Sequence, residues 1–206
     1  LLIGPVLKNG LILKLTGTII SRPYIDLTLC TMREFGTQAD WTDIDTITVA
    51  GKPYQDRPFS IENDWSSASY WYEAMALSKN SQSMVQLEGL TDGSKQGDSV
   101  VKYIFNLLGI KTSFASTQPG KATTVTLRRH PCLLSRLEYD FKGSPDLAQT
   151  LVTCCCRLKI PFKFTGLSNL RIKETDRIAA LETELRKLGF IIKDENGDTL
   201  YWDGEQ

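Results

Sequence analysis

The sequence predicts an α/β fold with mixed sheets, built from repeats of a βαβαββ unit, and three recurring features support this prediction. A strand-like stretch ending in glycine occurs three times along the 206 residues. Each copy is followed by a polar loop and a helical pattern that ends in glycine, a common helix C-cap because it adopts the left-handed conformation without steric cost. Strand-like residues then follow each of these glycines. Elements in this order need helices to cover the faces of the sheets, which is the α/β arrangement.

The elements follow from these features in chain order. The strand copies are residues 13–17, 85–89 and 162–166, and the capping glycines are Gly36, Gly109 and Gly189. Strands are expected after the caps at residues 44–49, at 110–114 with 123–127, and at 190–193 with 199–202, the last two joined by an Asn196-Gly197 turn. Helices are expected at residues 66–77 and 145–158, with Asp64 and Ser144 as N-caps and Pro145 in the first helical position. This gives one complete unit at about residues 61–129, a second at about 137–202, and the back half of another within residues 1–60.

Composition excludes several classes of protein. The 24 basic and 24 acidic residues give zero formal charge, whereas nucleic-acid and membrane-surface proteins need a broad basic field. No apolar stretch approaches the roughly 20 residues of a membrane-spanning helix. The five cysteines lack metal-ligand spacing. For the single histidine, His130, we expect a structural role. We therefore expect a cytoplasmic protein, and because the sequence opens on Leu1 rather than methionine, we expect it to be part of a longer chain.

The loop at residues 168–177 is the strongest candidate for chemistry. It gathers three cations, Arg171, Lys173 and Arg177, near the start of a helix expected over residues 178–188. The helix dipole disfavours cations such as Lys173 and Arg177 at this end unless an anion lies between them. The alternative is an ordinary capped helix, with Thr175 as N-cap and Asp176 stabilising the dipole. Two further positions carry the same ambiguity: Ser21 as a helix cap or a ligand contact, and Asp146 as a dipole partner or a catalytic residue. Residues 92–98 occupy the equivalent loop of the middle repeat.

At these residues the sequence resembles the 5-enolpyruvylshikimate-3-phosphate (EPSP) synthase family of enolpyruvyl transferases. The motifs are S-R-P-Y-I-D at residues 21–26, D-W-S-S-A-S-Y at 64–70, Q-G-D at 96–98, S-P-D at 144–146 and N-L-R-I-K-E-T-D-R at 169–177. The resemblance implies the inside-out α/β barrel fold, with two domains of three βαβαββ units each. Residues 1–60 would be the last part of one domain, and residues 61–206 would supply two units of the second, incomplete domain, after a hinge near residues 61–64.

The resemblance also implies a reaction, the transfer of the enolpyruvyl group of phosphoenolpyruvate to the 5-hydroxyl of shikimate 3-phosphate, with no metal or organic cofactor. Shikimate 3-phosphate would be bound by Ser21, Tyr24, Asp146, Asn169 and Lys173.

The catalytic roles implied by the resemblance fall on three of the same motif residues. Asp146 would accept the 5-hydroxyl proton, and Lys173 would take part in proton transfer. Glu174 would shuttle a proton to the methylene carbon of phosphoenolpyruvate, and Arg177 would bind that substrate through its planar guanidinium.

The sequence departs from the family in two respects. Trp65 follows Asp64 where a small residue is usual, so we expect different packing near the hinge. Most cations of the family's phosphoenolpyruvate site would lie outside residues 1–206, so we expect the chain alone to be inactive. The resemblance also implies that the full-length enzyme is monomeric. The alternatives are the related transferase acting on UDP-N-acetylglucosamine, and a non-catalytic anion-binding α/β module.

Overall fold

The structure, a computed structural model, describes residues 1–116, 118 and 120–205. The chain divides into two compact units, Leu1–Ile61 and Glu62–Gln206. The two units have separate hydrophobic cores.

The first unit is a three-stranded antiparallel sheet with one long helix. Its elements are a 3-10 turn at Gly4–Val6, β1 (Leu11–Lys14), α1 (Arg22–Glu34), β2 (Ala39–Trp41) and β3 (Thr46–Val49). The strand order is β1-β3-β2. Apolar side chains of α1 pack on the sheet, and the fully buried set is small: Leu29, Met32, Ala39, Ile47 and Val49.

The first half of the second unit repeats this plan behind an additional helix. Its elements are α2 (Trp65–Leu77), β4 (Met84–Thr91), a 3-10 turn at Gly97–Val100 that runs into α3 (Val101–Leu107), β5 (Ile110–Phe114) and β6 (Ala122–Arg129). The sheet order is β4-β6-β5, again antiparallel throughout. Strand β4 continues past the positive-φ residue Gly89 through an irregularity in its pairing between Leu87 and Leu90.

The second half of this unit contains the complete βαβαββ repeat. Its elements are β7 (Leu137–Asp140), 3-10 turns at Phe141–Gly143 and Pro145–Leu147, α4 (Ala148–Leu158), β8 (Phe162–Thr165), a 3-10 turn at Ser168–Ile172, α5 (Arg177–Lys187), β9 (Lys193–Glu195) and β10 (Thr199–Trp202). Strand β7 pairs in parallel with β8, and the sheet order is β7-β8-β10-β9.

One core joins the two halves of the second unit. Helices α2 and α4 pack side by side, with a buried hydrogen bond of 2.9 Å between the hydroxyls of Ser69 and Thr150. Trp65, where a small residue was expected, is fully buried. Its ring lies against Phe114, and its indole N–H donates to Glu62, so the bulky side chain forms part of the core near the expected hinge.

Much of the predicted secondary structure is confirmed. Gly36, Gly109 and Gly189 have positive φ angles of 82°, 88° and 89° just after their helices. Asn196 and Gly197 both have positive φ in the turn between β9 and β10, as a tight two-residue hairpin turn requires. Asp64 caps α2 by accepting hydrogen bonds from the backbone N–H groups of the two residues that follow Trp65.

The prediction of a complete βαβαββ unit at residues 61–129 is wrong, because its first strand is absent. Residues 51–64 form neither helix nor strand. Asn63 donates its N–H to Gly89, but this bond does not extend into a ladder, and Pro58 has no N–H to contribute. Ile61 is 86% exposed. This repeat is therefore αβαββ.

Two strand predictions also need correction, and one strand was not predicted. The strand expected at residues 44–49 begins only at Thr46, and its neighbour β2 was not predicted, because three residues that include Asp40 give no alternating pattern. The strand expected at residues 190–193 lies at 193–195, since Phe190 and Ile192 are buried in the core outside the ladder.

The helix starts differ from prediction as well. The helix expected at residues 145–158 begins as a 3-10 turn, and the buried Ser144 makes no side-chain capping bond. Helix α5 is capped by Asp176 rather than Thr175, because the Asp176 carboxylate accepts the N–H of Ala179 at 3.0 Å.

Candidate active site

The candidate residues of the second unit meet where the chain enters α4 and α5. The 3-10 turn at Pro145–Leu147 carries Asp146 and adjoins the 3-10 turn at Ser168–Ile172, which leads to the start of α5. Arg177 is the first residue of α5, and its Nη1 lies 2.8 Å from Asp146 Oδ1. Lys173 Nζ lies 3.2 Å from the same oxygen. The Asp146 carboxylate is thus bonded by two cations where α4 and α5 begin.

Arg177 links Asp146 to a second carboxylate. Its Nη2 lies 2.7 Å from Glu174 Oε2, so the guanidinium bonds one carboxylate with each terminal nitrogen. The side chains of Asp146, Lys173 and Arg177 are 21%, 29% and 23% exposed, whereas that of Glu174 is 77% exposed. The four residues form a row of alternating charge, Lys173–Asp146–Arg177–Glu174, in which the first three side chains are largely buried and the last is exposed to solvent.

These contacts shift the pKa values of two members of the row. The pKa of Glu174 is lowered by its own backbone N–H and by the hydrogen bond and positive charge of Arg177. Partial burial acts to lower the pKa of Arg177, but the bonds and charges of Glu174 and Asp146 outweigh it and raise that pKa. In the unliganded protein Glu174 is therefore held as a carboxylate and Arg177 as a guanidinium.

Local structure explains why this loop projects its charged groups. Leu170 is buried and fixes one end of the loop, and Asp176 caps α5 at the other. Between them Lys173 has an extended backbone, so the stretch between these two fixed points is not helical. Asn169 is half-buried on the same 3-10 turn as Leu170, beside the turn that carries Asp146.

Arg171 does not join the row, although sequence spacing suggests three cations at one helix mouth. Its guanidinium bonds Asp176, with Nη1 2.7 Å from Oδ2, and it also bonds Asp194 on β9. It faces the β9–β10 hairpin instead of Asp146. Sequence reasoning missed this contact because Asp194 lies in another element; an aspartate two residues before an Asn-Gly turn was the available signal.

The equivalent junction in the first half of the second unit has no such row. There the Ser66 hydroxyl at the start of α2 bonds Asp98 at 2.5 Å, at the 3-10 turn that precedes α3. Glu62 accepts hydrogen bonds from Ser94 and Gln96, so the loop at residues 92–98 is held to the segment before α2. The two junctions share a backbone plan but not a charge pattern.

Two further predicted residues, Ser21 and Tyr24, lie at the start of α1 in the first unit. Ser21 is in the N-cap position without a side-chain capping bond, and its φ of 59° is left-handed, an uncommon conformation for a non-glycine residue. The Tyr24 side chain is 39% exposed. Next to Ser21, Arg22 stacks over Trp41 at 3.9 Å. Strained backbone of this kind is frequent at ligand sites.

The part of the chain that the structure describes contains neither a metal-binding cluster of side chains nor a membrane-spanning helix. No group of three or more His, Cys, Asp or Glu side chains in residues 1–116, 118 and 120–205 is placed to hold a metal ion. In the same part of the chain, no helix combines the length and apolar character needed to cross a bilayer.

Comparison with known proteins gives a consistent result. The family model described as EPSP synthase (3-phosphoshikimate 1-carboxyvinyltransferase) matches residues 1–205. The chain is 50% identical over 206 residues to 3-phosphoshikimate 1-carboxyvinyltransferase of Bacteroides fragilis (strain YCH46), covering all of this chain and 48% of that protein. It is 31% identical over 191 residues to the protein of the same name from Marinomonas sp. (strain MWYL1), covering 92% of this chain and 42% of that protein.

The solved structures confirm the fold. EPSP synthase from Acinetobacter baumannii matches with a TM-score of 0.69 at 16% identity, over 98% of this chain and 45% of that one. The enolpyruvyl transferase NikO from Streptomyces tendae matches with a TM-score of 0.61 at 16% identity, over 98% and 44% of the two chains. The chain spans about half the length of the curated relatives it matches. From the match to the family model over residues 1–205, this chain belongs to the EPSP synthase family.

Proposed function

We propose that the protein to which this chain belongs transfers the enolpyruvyl group of phosphoenolpyruvate to the 5-hydroxyl of shikimate 3-phosphate, a step of aromatic amino acid biosynthesis. The observation that carries the proposal is the row Lys173–Asp146–Arg177–Glu174, which places acids and cations together at the start of α5. The reaction needs a base, an acid and cations in one place, because it moves protons between two anionic substrates.

In this proposal Asp146 is the base. Its carboxylate already accepts bonds from two cations, so it is placed to accept a hydrogen bond from an incoming hydroxyl. The 5-hydroxyl oxygen would bond to the central carbon of phosphoenolpyruvate as its proton leaves for Asp146. Lys173 would neutralise negative charge beside the acceptor and take part in this transfer, and Asn169, on the adjoining turn, would hold shikimate 3-phosphate with it.

Arg177 and Glu174 would act on phosphoenolpyruvate. A planar guanidinium binds carboxylate or phosphate with two parallel hydrogen bonds, so the substrate would compete with Glu174 for Arg177. When the substrate takes over the guanidinium, Glu174 would lose its hydrogen bond with Arg177, which is one of the causes that lower the pKa of Glu174. A released Glu174 would then be easier to protonate and could deliver a proton to the methylene carbon. Loss of a proton from the resulting methyl group, together with phosphate, would restore the double bond.

The first unit would contribute Ser21 and Tyr24 to the binding of shikimate 3-phosphate. The left-handed backbone at Ser21 and the exposed Tyr24 ring support a ligand contact at the start of α1. We further propose that residues 1–60 finish one domain of the full-length protein and that residues 61–206 supply two of three repeats of the other. The full-length protein is expected to be a cytoplasmic monomer without a metal or organic cofactor, and the 206-residue chain to show no turnover.

The test measures phosphate release by the full-length protein from phosphoenolpyruvate. Each assay contains one acceptor, either shikimate 3-phosphate or UDP-N-acetylglucosamine. Turnover is expected only with shikimate 3-phosphate. Asp146→Asn and Glu174→Gln should each lower kcat by about 100-fold or more, since each removes a proton-transfer group. Glu184→Gln, which removes an exposed carboxylate on α5 that pairs with Lys187, is the matched control and should leave kcat unchanged.

Three results would contradict the proposal or its assignment of residues. Turnover with the UDP-sugar in place of shikimate 3-phosphate would assign the other enolpyruvyl transfer. An absence of turnover, with binding of phosphate-containing ligands retained, would favour a non-catalytic anion-binding module. Full activity in Asp146→Asn would remove that residue from the catalytic assignment.

A further inference from the structure

Arg171 lies beside the candidate active site but faces away from it. It is two residues before Lys173 in the chain, yet its guanidinium bonds Asp176 and Asp194. Neither of these aspartates belongs to the row Lys173–Asp146–Arg177–Glu174. Asp176 is the cap of α5, and Asp194 belongs to strand β9. One side chain therefore connects the loop before α5, the helix itself and the adjacent hairpin.

The bond between Arg171 and Asp176 closes the loop on itself. The two residues are the ends of the segment 171–176, which contains Lys173 and Glu174 and has no regular structure after Ile172. Because its ends are joined by a side chain, the segment loses much of the conformational freedom that an open loop of this length would have.

Both partner carboxylates are also fixed to the backbone. Asp176 uses one oxygen for Arg171 and the other for the N–H of Ala179, at 3.0 Å. Asp194 likewise bonds Arg171 with one oxygen and the N–H of Gly197, at 3.0 Å, with the other. The closed loop is therefore anchored both to the first turn of α5 and to the turn of the β9–β10 hairpin.

The hairpin turn fits closely around Arg171. A Cβ atom added to Gly197 would lie 2.8 Å from Arg171 Nε, and the φ of Gly197 is 70°. Both the close approach and the backbone conformation favour glycine at this position. A planar fork that reaches two carboxylates at once is a property of arginine that lysine lacks.

We propose that Arg171 is a positioning residue: by closing segment 171–176 and anchoring it to the β9–β10 hairpin, it holds Lys173, Glu174 and Arg177 in place around Asp146. This inference rests on the proposed enolpyruvyl transfer. Preorganised loops of this kind raise the rate because the reacting groups need not be ordered again at each turnover.

The kinetic test compares Arg171→Gln, Arg171→Lys and Asp194→Asn in the full-length protein with the matched control Arg157→Gln, an exposed arginine near the C-terminal end of α4. Arg171→Gln should lower kcat by about 10- to 100-fold, with a smaller change in the KM for either substrate. Arg171→Lys should recover part of the loss. Asp194→Asn should lower kcat in the same direction, although Asp194 contacts no proposed substrate group, and Arg157→Gln should match the unmodified protein.

Amide hydrogen exchange in the same variants separates this inference from the proposed function. Residues 172–175 should exchange faster in Arg171→Gln than in Arg157→Gln, while the amides of β8 and β10 keep their protection. Unchanged exchange in this segment would overturn the inference, and so would faster exchange with an unaltered kcat. If the unmodified protein fails to turn over shikimate 3-phosphate, the proposed function is wrong, and the exchange result still decides whether Arg171 closes the loop.

Discussion

Three aspartates at helix starts in the second unit differ in what they do because they have different neighbours. Asp64 accepts two backbone N–H groups and acts as a helix cap, and Asp98 bonds the Ser66 hydroxyl. Asp146 is instead bonded by Lys173 and Arg177. Sequence motifs predicted that Asp146, Lys173 and Arg177 share a site, and the structure brings them together. The bonds of Arg171 to another element were not predictable from local sequence.

Glu73 on α2 provides a residue-scale prediction about pH. Burial raises the pKa of Glu73, and a hydrogen bond with Thr153 on α4 only partly offsets this. The folded state therefore binds the Glu73 proton more tightly than the unfolded state does. The contribution of Glu73 to stability is greatest at low pH, and it falls as the pH rises from the pKa of Glu73 in the unfolded state through its higher pKa in the folded state. Glu73→Gln should thus stabilise the protein more at pH 7 than at pH 4.

Urea unfolding of both proteins at the two pH values measures this difference. A Glu73→Ala variant serves as the control, since it removes the titrating group without retaining a side-chain partner for Thr153. If the difference in unfolding free energy between wild type and Glu73→Gln were independent of pH, burial of an ionisable Glu73 would be contradicted.

Helix starts vary more than helix ends among the repeats. All three predicted C-cap glycines adopt the left-handed conformation. At the N-termini, however, Asp64 and Asp176 make side-chain capping bonds, whereas Ser21 and Ser144 do not. A C-cap glycine is set by local backbone sterics, which sequence records. An N-cap serine, in contrast, caps its helix only where the surrounding structure lets its hydroxyl face the first backbone N–H groups, and this depends on tertiary packing.

The cap of α2 gives an element-scale prediction. Asp64→Ala should lower the free energy of unfolding by about 1–2 kcal/mol, because two backbone N–H groups at the start of the helix lose their acceptor. Asp64→Asn keeps an acceptor oxygen, and it should lower the free energy of unfolding by only a few tenths of a kcal/mol. Chemical denaturation monitored by circular dichroism measures both changes. Equal losses in the two variants would mean that the charge, not the capping bond, matters at this position.

At the scale of the whole molecule, the chain consists of two units with cores of very different size. The fully buried apolar set of the first unit is small, while that of the second extends across both of its halves. Small cores contribute little stability against chain entropy. The larger core depends on contacts between α2 and α4, which belong to different repeats, so the two repeats of the second unit support each other.

These separate cores predict separate effects of core mutations in the 206-residue chain. Ile47→Ala, in the first unit, and Leu151→Ala, in the second, should each cost about 2–5 kcal/mol, because both remove fully buried side chains. Amide hydrogen exchange should show faster opening mainly in residues 1–61 for the first variant and in residues 62–205 for the second. Comparable acceleration in both units from either variant would contradict the independence of the two cores.

The sequence by itself determined the repeat, most strands and helices, and the charged loop before α5, because these depend on local periodicity, glycine conformation and turn chemistry. Tertiary structure alone decided that the repeat at residues 61–129 lacks its first strand, since a strand forms only where a neighbour pairs with it. It also decided which acid each cation bonds. Lys173 and Arg177 face Asp146, whereas Arg171 faces Asp194, because ion pairs depend on distances between elements that the order of residues along the chain does not give.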